Sequence, residues 1–142
     1  MKYEYYNPNP KKRFRRDGKP MGWHKGDCTT RALAKALDCT WKEAFQKQCD
    51  EAMKQCDNTT ATSVTNAVLL ANGFRKGVID IDWIKKYHQR PTVARLVNDV
   101  CKQLGNRKLV ISCTHHLVAA EGDTIYDTWN SGKQTAWTFW YK

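Results

Sequence analysis

The periodicity of the chain changes once, at Gly105, and that change limits the fold more than any other feature. Before it, apolar residues recur at three- and four-residue spacing; after it, they run in short β-rich stretches between turn residues. Helices first and strands last predict an α+β fold, a helical N-terminal part followed by a C-terminal antiparallel sheet. Cys28 to Leu37 reads as a helix rich in Ala and Leu. Thr40-Trp41-Lys42-Glu43 has capping-box spacing, and Trp41, Ala44, Phe45, Ala52 and Cys56 extend a second helix behind it. After a polar break at 57–60, Val64, Ala67, Val68 and Ala71 mark a third helix, stopped by Asn72-Gly73. The stretch "GVIDIDWI" reads as a short extended segment. Arg90-Pro91-Thr92 opens a fourth helix, with Leu96, Val97, Val100, Cys101 and Leu104 on one face and Gly105 as its stop. Beyond it, "KLVISCTHHLVAA" is a strand bounded by the turn "EGD", "TIYDTW" returns as the second arm of a hairpin, and "TAWTFWY" follows the turn "NSGK" as a third strand.

The 142 residues, 41% of them hydrophobic, suit one domain with one sizeable core. Residues 1–22, broken by two Asn-Pro steps and a Lys-Pro, are expected to be an irregular basic arm, and 23–142 the domain itself. No run of eighteen apolar residues occurs, so neither a transmembrane helix nor a signal peptide is expected. A cytoplasmic location follows as an expectation, with the six cysteines as free thiols that mostly fill core. No CxxC pair is present, and neither a metal nor a cofactor is expected.

The formal charge of +10 is uneven: residues 1–25 carry eight Lys/Arg against Glu4 and Asp17. The cluster Lys11, Lys12, Arg13, Arg15 and Arg16 favours an acidic partner, either nucleic acid or an acidic protein surface.

The chemistry centres on Cys28, which follows Gly26-Asp27 at the start of the first helix. A thiol becomes a nucleophile when a helix N-terminus and a neighbouring imidazolium lower its pKa. His115 and His116 open the first long strand, where alternation sends them to opposite faces; periodicity does not choose between them. On the returning arm Asp127 is placed to accept a hydrogen bond from the imidazole and fix its tautomer.

With these residues in the order Cys…His…Asp, the chain resembles the papain-like cysteine peptidases, in particular small phage-encoded proteins of that superfamily with no assigned function. The resemblance lies in residues 26–38 and 114–130: "GDCTTRA" at the helix start, His116-Leu117-Val118 at a strand start, and Asp127-Thr128-Trp129 on the next strand. It implies a minimal papain-like fold with Cys28 as nucleophile, His116 as general base and acid, Asp127 as orienter and Trp129 as a shield over the His–Asp hydrogen bond. It further implies a peptide or protein substrate and, for a phage protein, the host cytoplasm. The glutamine that papain-like enzymes place before the nucleophile as an oxyanion donor is missing from "GKPMGWHKGD". The Cys28 N–H remains as one donor, and Trp23 or His24 is the candidate second. Asp27 raises the thiol pKa unless it points away or caps the helix. The competing expectation is a catalytically degenerate relative, an accessory or inhibitory binding protein whose basic arm grips nucleic acid or an acidic host protein without touching a membrane.

Overall fold

The computed structural model describes residues 1–11 and 26–142. The expected sites at Lys12, Arg13, Arg15, Arg16, Trp23 and His24 lie outside them. The described residues form β1 (Lys2–Tyr5), α1 (Cys28–Ala36), α2 (Trp41–Gln55), α3 (Thr62–Ala71), β2 (Arg75–Lys76), α4 (Ile81–Tyr87), α5 (Val93–Leu104), β3 (Lys108–Cys113), β4 (His116–Glu121), β5 (Thr124–Asp127) and β6 (Thr138–Tyr141). The α+β reading holds: the helices fall mostly in the N-terminal half and the main strands in the C-terminal part. No helix among the described residues is long and apolar enough to cross a membrane.

The helix ends follow local chemistry. Thr40 accepts a hydrogen bond from the Glu43 N–H at 3.1 Å, and Thr92 accepts one from Arg95 N–H at 3.2 Å, each satisfying a donor that the helix itself leaves open. Gly105 ends α5 at φ +74°, a conformation that carries little cost without a Cβ.

Six strands lie in the order β1-β5-β4-β3-β6-β2, with β1 parallel to β5 and the other pairs antiparallel. Strand alternation divides the core between the two faces. Leu109, Ile111, Val118, Ala120 and Ile125 meet Val93, Leu96, Val97 and Val100 of α5. Val110 and Ala119 meet Ala32, Leu33, Ala34 and Ala36 of α1, with Val68, Leu69 and Phe74 behind them. Each fully buried Leu, Ile or Val contributes about 1.5–3 kcal/mol of transfer free energy, so this two-sided packing fixes α1 firmly against β4.

Four readings of the chain need correction. Residues 2–5 are a strand rather than part of an irregular arm; their side chains are exposed, so they carry no burial period to read. The sheet is accordingly mixed. "GVIDIDWI" contains α4, whose start is fixed by Asp80 accepting from Asp82 N–H at 2.9 Å; alternating Ile and Asp had imitated a strand. "KLVISCTHHLVAA" is a hairpin, not one strand. It turns at Thr114-His115, where His115 takes φ +54°, so the two histidines do not alternate along one strand.

Candidate active site

Cys28 is the first residue of α1, and its side chain is half-buried. The preceding Asp27 occupies the N-cap position, yet its side chain makes no capping hydrogen bond. The carboxylate turns away. It pairs with Arg31 Nη1 and accepts from Trp41 Nε1 at 2.9 Å and Asn9 Nδ2 at 2.8 Å. The first-turn N–H groups of α1 thus receive no cap from the Asp27 side chain, and their partial positive charge lies at the Cys28 end.

Strands β3 and β4 bring His116 to the same place. Cys28, His116 and Leu117 line one cavity, where the His116 side chain and the Leu117 backbone both act to lower the thiol pKa. The far ring nitrogen, Nε2, lies 2.6 Å from Asp127 Oδ2, which leaves Nδ1 as the nitrogen for the thiol. His115 is exposed in the turn.

Asp127 ends β5, one position beyond the last β4–β5 pair, Ala119↔Tyr126. It is 3% exposed, and a buried carboxylate is tolerable only when its lone pairs are met. They are: besides His116, Oδ2 accepts from Ser131 Oγ at 2.8 Å, and Oδ1 accepts from Thr128 N–H at 2.8 Å and faces Arg31 Nη2 at 3.6 Å. Trp129 sits over the pair, its ring centroid 5.1 Å from that of His116.

The electrostatics follow from these contacts. Burial pushes the Cys28 thiol up, but the hydrogen bonds from His116 and Leu117, with the charges of His116 and Arg31, outweigh it and lower its pKa. Burial likewise disfavours the His116 imidazolium; the bonds to Asp127 and Cys28 overcome it and raise His116 to about 9. For Asp127, burial is outweighed by His116, Ser131 and the Thr128 N–H, and the carboxyl is held below its ordinary range. All three directions favour a thiolate–imidazolium–carboxylate row.

A cavity of about 620 Å³ opens beside the sulfur. Thr62, Thr65 and Asn66 of α3 form one side, and Ser112, Thr138 and Trp140 of the sheet the other. Among the described residues no group of three or more His, Cys, Asp or Glu could hold a metal ion. Lys11, the one described member of the basic cluster, is exposed, and its N–H donates to Asn9 Oδ1 at 2.9 Å.

Sequence reasoning did not find Arg31, Ser131 or the Thr128 N–H. The Asp27–Arg31 spacing of four on a helix was a usable signal. Ser131 lay in "NSGK", which reads only as a turn. No family model, curated protein or solved structure matches this chain.

Proposed function

We propose that this chain is a thiol hydrolase of the papain-like type that cleaves a peptide or protein substrate. One observation carries the reading: Cys28, at the start of α1, lines one cavity with His116, whose Nε2 is 2.6 Å from the buried Asp127. The Cys28 thiolate attacks the substrate carbonyl carbon, and the oxyanion so formed takes a hydrogen bond from the Cys28 N–H. His116 gives its Nδ1 proton to the leaving amine as the C–N bond breaks, leaving a thioester on Cys28. A water molecule, losing a proton to the now neutral His116, attacks the thioester and releases the acid and the thiol group. Asp127 holds the ring throughout and stabilises its charged form. The basic residues of the first 25 positions suit the recruitment of an acidic partner to this site, in the cytoplasm of a host where the chain is a phage product.

Alkylation across pH with iodoacetamide, read at each cysteine by peptide mass spectrometry, tests the reading. Cys28 is expected to react well below the ordinary thiol midpoint of about 8.5, ahead of the other five cysteines. Hydrolysis of an unstructured protein is expected from wild type and not from Cys28→Ser. An ordinary midpoint at Cys28 would remove the enzyme and leave a binding protein.

A further inference from the structure

A buried cation stands among the acidic groups of this site. Arg31 lies one turn along α1 from Cys28, and its side chain is 7% exposed. The guanidinium spans two carboxylates, with Nη1 on Asp27 and Nη2 3.6 Å from Asp127 Oδ1. Asp27 is itself anchored to α2 through Trp41 and to the segment after β1 through Asn9. The row therefore runs from Trp41 through Asp27, Arg31, Asp127 and His116 to the sulfur of Cys28.

We propose that Arg31 is a positioning residue of this site: it fixes the carboxylate that orients His116 and sets the pH range in which Cys28 and His116 are both charged, with Asp27 as its counterweight. The inference rests on the hydrolase reading. Two carboxylates without a cation between them would make the potential at the sulfur and the ring more negative. The thiolate would form less readily, and the imidazolium would hold its proton more tightly against the leaving amine. Both halves of the reaction would suffer. Arg31 offsets that field while its planar fork reaches both acids at once, a geometry that a lysine ammonium reproduces only in charge. Among the described residues the other ionisable groups here include Cys113 from β3, His115 in the turn and Tyr3 of β1, whose hydroxyl donates to the Asp127 carbonyl oxygen at 3.4 Å. They are common to every variant below.

The test is the pH midpoint of Cys28 alkylation in the full chain for wild type, Arg31→Met, Arg31→Lys, Asp27→Asn and the double variant Arg31→Met/Asp27→Asn. Arg31→Met is expected to raise the midpoint by about one pH unit. Arg31→Lys should restore most of that change, Asp27→Asn should move it down, and the double variant should return it toward wild type. A purely structural arginine would lower the melting temperature without this ordering. Coincident midpoints in wild type and Arg31→Met, or equal displacement in Arg31→Met and Arg31→Lys, overturn the proposal. Should Arg31→Met not fold, an unmoved midpoint in Asp27→Asn overturns it equally. A wild-type midpoint near the ordinary thiol value would instead remove the hydrolase reading, and this inference with it.

Discussion

Cys28 and Cys113 line the same cavity, and their thiols are driven in opposite directions. Cys113 is the cross-strand partner of His116, the residue paired with it in register. It nevertheless gains nothing from the imidazole. Burial in the apolar layer under the sheet, with the charges of Asp127 and Cys28, pushes it up to about 12. Cys28 is half-buried, but the His116 side chain and the Leu117 backbone lower its pKa and its helix end supplies positive potential. Nearness to a histidine does not make a nucleophile. What separates the two thiols is donors aimed at the sulfur, against a backbone whose own donors are spent in the strand ladder.

The largest expected effect erases that contrast. His116→Ala should slow Cys28 alkylation at pH 6 by roughly tenfold for each pH unit its midpoint rises, while Cys113 stays unreactive in the folded protein. Peptide mass spectrometry of both sites checks it in one experiment. Faster alkylation of Cys113 alongside the slowing at Cys28 would show loss of structure rather than loss of the ion pair.

A second expectation uses pH on the fold itself. His116 is raised to about 9, so its contribution to stability is full below its unfolded value of about 6.5 and is lost as pH climbs through 9. Cys113 acts with the same sign, because raising an acid's pKa penalises ionisation in the fold once pH passes the unfolded value of about 8.5. Asp127 is depressed, and its contribution is present above an unfolded value of about 3.9 and lost as pH falls. The melting temperature should therefore drop at both ends. Asp127→Asn should flatten the acid side and weaken the alkaline loss, because His116 then gives up its proton at lower pH. It should reduce turnover only in part, since an amide oxygen can still accept the imidazole N–H. A melting curve against pH that is unchanged by Asp127→Asn would break the account.

The smallest expected effect is at Ser131. Ser131→Ala removes one of the four groups described at the Asp127 carboxylate and should cost about 1 kcal/mol of stability, measured by denaturant unfolding, with the order of thiol reactivities kept.

How much of this was legible depended on how local each signal was. Thr40, Thr92 and Gly105 act within a turn of their own positions, and the helices they bound were readable from spacing. The placing of Cys28 at a helix start was equally local. The choice of His116 over His115 hung on a two-residue turn that "CTHH" hides, since no glycine or asparagine marks it; His115 itself takes the left-handed conformation. Trp129 was named from its place after Asp127, and its ring stands tilted at 40° to that of His116. Arg31 escaped notice because its two partners are far apart in sequence, one on its own helix and one at the end of β5. Charge compensation across elements leaves no period.

The parallel pairing of β1 with β5 carries a consequence in time. Tyr5 is registered against Asp127, and Tyr6 N–H donates to the Asp127 carbonyl oxygen at 2.8 Å. The docking edge of β1 thus lies more than a hundred residues further along the chain. Contacts of such sequence separation form slowly. A chain made only as far as α1 holds β1 but lacks β5, the strand β1 pairs with and the one that ends at Asp127. The His116 and Leu117 groups that lower the Cys28 pKa belong to β4 and reach the sulfur only once that strand has packed against α1.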